Sequence, residues 1–377
     1  SMAKRFARAA EDEGVGRIVF LGGLHPSGEE LSEHLGSRVE VGQIFLDSAV
    51  PTAALQAGVV LGKGSISFRM LRHLSERLPG AIGPGWIRHK ITPISVRDVV
   101  FYLAGAAELP PEVNRTFDIG GPDTLEYAAM MQEYAKTVGL FPRLVFSAPV
   151  TTPKLAAKWI SLVTPIKANL ATPLIGSLLH NTVVKDRDLE SHIGTPPGGN
   201  QTFAVAVAAA NEGTDTRRWQ KTLGAVSAAV AACGVIGSVL VKTDSPSYRR
   251  LSKPSWQPPA AVFPLVWTAL YADIAVVNSL VIADHLEADD APAARSHAGA
   301  LGLNLALNAG WCGVFFRSRR CGLAAAWAGA LAGSSADLVR RAWKSAPERG
   351  AVLAPYAAWT GFATVLSAEI ARRNRRR

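Results

Sequence analysis

Five apolar runs in the second half of the chain constrain its fold more than any other feature. Three of them contain no charged residue, and the other two contain one each, Asp273 and Glu369. The runs cover residues 223–241, 260–283, 298–316, 321–336 and 351–370. A helix needs about 20 predominantly apolar residues to cross the hydrocarbon core of a bilayer. Five such runs in succession, joined by short charged loops, predict an all-α bundle of five transmembrane helices.

The charge balance agrees with a membrane protein. Charged residues make up 19% of the chain and the formal net charge is +10, whereas about 25% charged residues is usual for soluble domains. Basic clusters follow apolar runs: Arg317, Arg319 and Arg320 follow one, and the sequence ARRNRRR ends the chain after another. Basic residues in such places are typical of the ends of membrane spans, so the expected surroundings are membrane lipid and no nucleic-acid partner.

Cysteine and histidine give little sign of metal or disulfide chemistry. Three cysteines are too few for a disulfide framework. All eight histidines lie outside the five apolar runs as drawn above. A histidine-bound metal inside the bundle is therefore not expected.

The first half of the chain has a different pattern, in which apolar strands alternate with helices. The expected strands are RIVFLGG (17–23), TAALQAGVVLG (52–62, with its following loop) and RTFDIGG (115–121). Amphipathic helices lie before, between and after them, as in TLEYAAMMQEYAKTVG (124–139). This alternation predicts an α/β domain with a mostly parallel sheet. From about 150 to 218 the pattern weakens, and TPPGGN (195–200) indicates a loop.

The tryptophans are concentrated in the apolar half. Trp219 and Trp343 stand beside arginine pairs, which suits a belt at the membrane interface. Trp267, Trp311 and Trp359 lie well inside their runs, where an indole N–H needs a partner. We therefore expect Trp219 and Trp343 to lie at the membrane interface, and the other three to lie inside the bundle.

Three of the predicted helices thus offer aromatic or amide side chains to the interior. Asn308 is polar and central in its run, so it should face the middle of the bundle. The groups fall in three pairs, Trp267 with Tyr271, Asn308 with Trp311, and Trp359 with Phe362. They predict a flat apolar pocket with a few hydrogen-bonding edges, suited to a planar hydrophobic ligand rather than a metal or a phosphate. The alternative is that these side chains only pack the core.

Three sequence blocks in this half resemble the TspO/MBR family, the tryptophan-rich sensory proteins and translocator proteins. The blocks are YRRLSKPSWQPPAAVFPLVWTALY (248–271), LNLALNAGWCGVFF (303–316) and PYAAWTGFATVL (355–366). The resemblance implies a five-helix bundle, often a homodimer through its helices. It also implies binding of tetrapyrroles such as protoporphyrin IX and haem. Sterol binding is not expected, because VLSAEIARR (365–373) lacks the tyrosine of the sterol pattern.

The resemblance also carries over site residues, position by position. In the loop over the ligand mouth it implies roles for Tyr248, Trp256 and the Pro258–Pro259 pair. The prolines would restrict this loop, so that Trp256 closes as a lid at low entropic cost; an interfacial anchor is the alternative. Pocket positions on the helices are implied for Trp267, Tyr271, Asn308, Trp311, Trp359 and Ala363, with Phe362 one turn from Trp359. Ser367 departs from the family, which often has asparagine there.

Residues 3–193 resemble part of an atypical short-chain dehydrogenase/reductase of the NAD-dependent epimerase or NmrA-like type, which implies a Rossmann-like domain. The likeness lies in RFARAAEDEGVGRIVFLGGL (5–24), ISVRDVV (94–100) and RTFDIGGPDTLEYAAMMQEYAKTVG (115–139). However, no G-x-G-x-x-G loop follows a first strand, and that loop brings the backbone to the pyrophosphate of the cofactor.

The family's Tyr-x-x-x-Lys pair is also missing, because His34-x-x-x-Arg38 stands in its place. Arginine stays protonated at any working pH, and His34 is interpreted as a solvated residue on a helix. We therefore expect a remnant or docking module with a truncated sheet and an exposed edge. NAD(P) is not expected to bind it, and no cofactor is required.

Together these observations predict four segments: a partial α/β domain at 3–193, a linker at 194–218, the five-helix membrane domain at 219–372 and a basic tail at 373–377. The predicted function is that of an integral membrane tetrapyrrole-binding sensor, receptor or carrier. The alternative is a membrane-anchored NAD(P)-dependent oxidoreductase acting on an apolar substrate, and porphyrin photochemistry in the bundle is a third.

The expected location is a bacterial cell membrane, with the N-terminal domain in the cytoplasm. One observation opposes this orientation. Lys and Arg are denser around 242–256, 317–320 and the C-terminal tail, which lie on the other side of a five-span bundle, and such loops usually face the cytoplasm.

Overall fold

A computed structural model of the chain describes residues 1–26, 28, 31–148, 153–317 and 320–374. Arg319 and residues 375–377 of the basic clusters, and residues 29–30 of a predicted helix, lie outside this range. The chain forms two compact units, Ser1–Thr216 and Arg217–Arg377. They are called unit 1 and unit 2 below, and each is described by itself.

Unit 1 alternates helices and strands, as the sequence predicts. Its helices are α1 (Met2–Asp12), α2 (Glu33–Leu46), α3 (Ile66–Arg77), α4 (Val96–Ala107), α5 (Tyr127–Thr137), α6 (Pro153–Val163), α7 (Ala168–Leu178), α8 (Asp188–Ile193) and α9 (Phe203–Ala210). Its strands are β1 (Ile18–Gly23), β2 (Thr52–Ala57), β3 (Val60–Leu61), β4 (Gly80–Pro84), β5 (Lys90–Ile91), β6 (Ile94–Ser95), β7 (Arg115–Ile119), β8 (Leu125–Glu126) and β9 (Leu144–Ala148).

The main sheet is parallel and has three strands in the order β1-β2-β7. Leu21 lies opposite Leu55, and Leu55 lies opposite Phe117. Leu55 and Phe117 are buried because a parallel sheet is covered on both faces. Within the described residues β1 pairs with β2 alone, so it forms an edge of this short sheet. Smaller sheets pair β3 with β6 and β4 with β9 in parallel, and β5 with β8 antiparallel.

Serine and threonine caps fix where several of these helices begin. The hydroxyls of Ser32, Ser65 and Ser95 accept hydrogen bonds from backbone N–H groups three residues on, at the starts of α2, α3 and α4. Such a cap satisfies one of the N–H groups that a helix leaves unpaired at its first turn. The cap at Ser32 sets the direction of α2, the helix that carries His34 and Arg38.

The structure differs from the predicted linker at 194–218. Residues 203–210 form α9, capped by the hydroxyl of Thr202. Phe203, Ala206 and Val207 are buried in the core of unit 1 with residues of α3 and α5. A run of eight residues cannot cross a bilayer, but it can cover the apolar face of a soluble core, and that is its role here.

The described residues of unit 2 form five long helices and one short one. They are α10 (Arg218–Leu240), the short α11 (Pro246–Arg249), α12 (Val262–Glu287), α13 (Ala291–Arg317), α14 (Cys321–Ser345) and α15 (Pro347–Arg373). Four of them, α10, α12, α13 and α15, are long and apolar enough to cross a membrane. The fifth predicted span is α14, which packs against α13 and α15. Its last turns carry Asp337 paired with Arg340 and Arg341, which lowers its apolar character.

Small residues let the helices of unit 2 approach closely. A Cβ at Gly310 of α13 would lie 2.8 Å from the Trp327 ring of α14. Trp327 Nε1 donates a hydrogen bond to the carbonyl oxygen of Leu307 at 2.8 Å. Close backbone approach of this kind is how helices pack in lipid.

Two sequence interpretations are wrong in unit 2. His297 lies inside the bundle, because α13 begins at Ala291 and not at residue 298. It is 2% exposed, and its Nε2 lies 2.8 Å from Asn278 Oδ1. Trp219 is buried against Leu280 and Ala283 instead of lying in an interfacial belt, whereas Trp343 is 52% exposed.

Candidate functional site

A chain of hydrogen bonds crosses the interior of unit 2. Tyr271 Oη of α12 donates to Asn308 Oδ1 of α13 at 3.1 Å. Asn308 Nδ2 donates to Tyr356 Oη of α15 at 3.2 Å. Tyr356 Oη donates in turn to Asn304 Oδ1 at 2.7 Å, and Asn304 Nδ2 donates to Ser335 Oγ of α14 at 3.1 Å. The chain joins four helices, and it confirms that Asn308, 3% exposed, faces the interior.

The sequence analysis missed three members of this series of hydrogen bonds: Tyr356, Asn304 and Ser335. Asn304 is one helical turn before Asn308, so its position on the same face was a usable signal. Tyr356 is three residues before Trp359, on the same side of α15. Each of the three is fully buried, where an unpaired polar group would be costly.

Aromatic rings gather beside the hydrogen-bonded chain. Trp267 lies 5.3 Å from Tyr271 and 6.3 Å from Tyr356, measured between ring centroids. Trp359 lies 5.4 Å from Phe362, with 32° between their planes, and 5.8 Å from Phe263. The pairs have tilted or edge-on geometry, which aromatic rings prefer.

The loop between α10 and α12 reaches two helices. Trp256 is 46% exposed, and its ring lies 5.9 Å from Phe362 of α15. Tyr248 lies 5.1 Å from Phe316 of α13, and Lys253 Nζ stands 3.7 Å from the centre of the Tyr248 ring. The loop residues therefore contact the last turn of α13 and the middle of α15.

Asn374, also missed by the sequence analysis, ties this loop to the end of α15. Its Oδ1 accepts from the backbone N–H of Ser252 at 3.0 Å, and its Nδ2 donates to the Ser252 carbonyl at 3.1 Å. Pro254 is buried, while Pro258 is half-buried and Pro259 is exposed. The loop is thus fixed near Ser252 and Pro254, and its exposed part carries Trp256 and Pro259.

Trp311 is separate from the hydrogen-bonded chain. Its ring stacks on Phe315 at 5.0 Å with 23° between planes. Its Nε1 is buried and has no hydrogen-bond partner within the described part of the chain. The side chain therefore offers a donor that its own bundle leaves unused.

Ala363 and Ser367 lie on α15 beyond Phe362. The Ser367 hydroxyl donates to the Ala363 carbonyl of its own helix at 2.7 Å. Ser367 is 2% exposed. At this position, where the family often has an asparagine, the side chain is satisfied within α15.

A cavity of about 550 Å³ opens between α10 and α12. Of the predicted site residues, Tyr271 alone lines it, together with small and β-branched residues such as Ala231, Gly234 and Ala275. The other predicted aromatic side chains pack against aromatic rings, some of them outside the predicted set, such as Phe315 and Phe316. Within the described residues no three His, Cys, Asp or Glu side chains come together as a metal site.

In unit 1, His34 and Arg38 stand where parallel strands end. Arg38 Nη2 donates to the Leu21 carbonyl at 2.8 Å. Burial, and then the nearby Arg38 guanidinium, lower the pKa of His34, so the imidazole is neutral at pH 7. His34 is half-buried and lines a cavity, which differs from the solvated position expected from the sequence.

Comparison with solved structures finds likenesses of low identity. A nucleoside-diphosphate-sugar epimerase from Staphylococcus aureus aligns with 54% of this chain and 69% of its own, at 13% identity and a TM-score of 0.41. A triphenylmethane reductase from Citrobacter sp. aligns with 56% of this chain and 70% of its own, at 15% identity and a TM-score of 0.42.

Comparison of sequences finds similar proteins for unit 2. A tryptophan-rich sensory protein of Cereibacter sphaeroides is 33% identical over 152 residues, which cover 38% of this chain and 88% of that protein. The human translocator protein is 31% identical over 156 residues, 40% of this chain and 87% of that protein. A translocator protein homolog of Schizosaccharomyces pombe is 32% identical over 121 residues, 32% of this chain and 73% of that protein.

The sequence profile of one family matches residues 225–373, the part of unit 2 that contains the hydrogen-bonded chain and the aromatic rings. This chain covers most of the length of each of the three similar proteins named above. Through unit 2, this chain belongs to the TspO/MBR family and is an integral membrane protein.

Proposed function

We propose that unit 2 binds a tetrapyrrole, protoporphyrin IX or haem, and acts as a membrane sensor, receptor or carrier for it. The observation that carries the proposal is two pairs of aromatic rings, Trp267 with Tyr271 and Trp359 with Phe362, of which the first is hydrogen-bonded through Tyr271 to the buried amide of Asn308. Flat aromatic faces suit a planar apolar guest, and a few fixed polar groups set its orientation.

Binding requires these rings to separate, because they now contact one another. The Trp256 ring of the loop contacts Phe362. Movement of Trp256 would let the ligand enter beside Phe362. Lys253, Arg249 and Arg250 lie on the same loop. Their positive charges complement the propionate carboxylates of a porphyrin, which would remain near water while the ring system enters the bundle.

The test is a titration of the full chain in lipid nanodiscs with protoporphyrin IX, following quenching of tryptophan fluorescence. Trp267→Phe and Trp359→Phe should each weaken binding by about two- to tenfold, since one aromatic contact contributes about 0.5–1.5 kcal/mol. Trp343→Phe is the matched control, because that side chain is 52% exposed and belongs to none of the ring pairs above. Equal affinities in all three variants would contradict the proposed pocket.

Unit 1 is proposed to be inactive as an oxidoreductase. His34 and Arg38 replace the Tyr and Lys of the reductase resemblance, and a guanidinium that stays charged cannot exchange protons. Titration of the full chain with NADH and NADPH should show no binding at micromolar concentrations. Micromolar affinity would favour the alternative function, a membrane-anchored oxidoreductase.

Unit 1 is also proposed to lie in the cytoplasm of a bacterial cell. The proposal supposes that this α/β domain stays where it is synthesised. If α10 is the first crossing, the loop between α10 and α12 would then face the opposite side of the membrane. Protease added to intact cells should leave unit 1 uncut. Cleavage within unit 1 would show that it lies outside the cell, the opposite orientation.

A further inference from the structure

Two adjoining cavities lie at the carboxyl ends of β1 and β2 in unit 1. One has a volume of about 210 Å³ and the other about 310 Å³. Gly22, Gly23 and Arg38 line both of them. The crevice beyond the carboxyl ends of parallel strands is where open α/β sheets bind ligands.

One residue that lines the smaller cavity has a buried hydroxyl that the described part of unit 1 leaves unpaired. Tyr127 is 1% exposed and lines this cavity, and its Oη has no hydrogen-bond partner within the described residues. Its ring is held by Trp86, 5.6 Å away in an edge-on contact. An unpaired buried hydroxyl destabilises the fold, and a ligand that bonds to it would remove that cost.

Arg38 supplies an unpaired charge between the two cavities. It is half-buried, and no carboxylate within the described part of the chain forms an ion pair with it. One of its N–H groups is used by the Leu21 carbonyl, and the others remain for a ligand. The planar guanidinium fork matches a carboxylate, with which it can form two parallel hydrogen bonds.

The walls of the smaller cavity are otherwise mainly apolar. They include Leu35, Val59, Met70, Leu174 and Leu178. Neither cavity has the volume or the glycine loop that a dinucleotide requires. The neutral imidazole of His34 adds one further hydrogen-bonding group on the same wall as Arg38.

We propose that unit 1 binds a small aromatic or aliphatic carboxylate, with the carboxylate on Arg38, the apolar body in the smaller cavity and a polar substituent on Tyr127. This site is independent of the tetrapyrrole pocket of unit 2. The proposed site gives unit 1 a ligand-binding role, although the Tyr and Lys of the reductase resemblance are missing from it.

The experiment is calorimetric titration of the full chain in nanodiscs with 4-hydroxybenzoate, benzoate and benzyl alcohol. 4-Hydroxybenzoate should bind most tightly, and benzyl alcohol, which lacks the charge, at least tenfold more weakly than benzoate. In Arg38→Met the advantage of benzoate over benzyl alcohol should disappear, while Arg38→Lys retains part of it. Arg8→Met, on the exposed face of α1, is the matched control.

Tyr127→Phe separates binding from folding. The variant removes a buried hydroxyl without a partner, so unit 1 should be at least as stable as before, while 4-hydroxybenzoate loses its advantage over benzoate. Absence of saturable binding by either acid would overturn the proposal. The proposal would also be overturned if Arg38→Met bound both acids as tightly as the unchanged protein does. The acids would then bind elsewhere, for example in unit 2.

Discussion

At the scale of single residues, the hydroxyl of Tyr356 joins two amides of the same neighbouring helix. It accepts from Asn308 and donates to Asn304. Tyr356→Phe should lower the free energy of unfolding of the bundle by about 1–2 kcal/mol, because both amides then lose a buried partner. Unfolding in mixed detergent micelles measures this. Tyr248→Phe is the control, because its ring lies in the loop, and an equal loss in both variants would contradict the argument.

The inward position of some of these residues could be predicted from the sequence because lipid surrounds the helices that carry them. An amide such as Asn308 cannot remain unpaired in hydrocarbon, so its inward position follows from its place in an apolar run. Its partners do not follow in the same way. Tyr356 suits an interface as well as a core, and only its hydrogen bonds to Asn304 and Asn308 of α13 show that its hydroxyl is buried. The same limit applied to Trp219, whose neighbours in sequence are basic but whose neighbours in space are Leu280 and Ala283.

At the scale of secondary-structure elements, α9 shows how a segment expected to be a linker can belong to a core. Phe203 is 3% exposed, whereas Val205 on the same helix is 51% exposed. Phe203→Ala should destabilise unit 1 by about 3–5 kcal/mol, since it leaves a cavity in a packed core. Hydrogen exchange of α3 and α5 in the full chain measures the loss. Val205→Ala should change exchange little, and a similar effect in both variants would show that α9 is peripheral.

Long elements were predictable and short ones were not. β1 is a continuous apolar segment, β2 is mainly apolar, and β7 alternates polar residues with Phe117 and Ile119, so each has a recognisable strand pattern. Strands of two residues such as β3 and β6 carry no periodic signal, and they exist only because the backbone of Val60 meets that of Ile94. Residues 153–193 form α6, α7 and α8, which were not assigned from the sequence; Pro173 inside α7 and the six-residue length of α8 both weaken a helical signal. In α14 the apolar run ends at residue 336, but the helix continues to Ser345 through the ion pairs of Asp337.

At the scale of the whole molecule, each unit has a core made of its own residues. The clusters around Phe68 and Phe117 contain residues of unit 1 alone, and the cluster around Ile274 contains residues of unit 2 alone. A unit that buries its own apolar surface can fold and unfold as one cooperative body. The two bodies also meet different solvents, since urea weakens apolar burial in water but has little access to helices within lipid.

We therefore expect two separate unfolding steps when the full chain in mixed micelles is titrated first with urea, which unfolds unit 1, and then with sodium dodecyl sulfate, which unfolds the helices of unit 2. Circular dichroism should show unit 1 unfolding first, because a water-soluble core of this size is stable by only about 5–15 kcal/mol. Phe203→Ala should lower the midpoint of the first step and leave the second unchanged, while Tyr356→Phe should do the reverse. If either variant moved both midpoints together, the two units would share stabilising contacts, and the independence of their two proposed ligand sites would have to be abandoned.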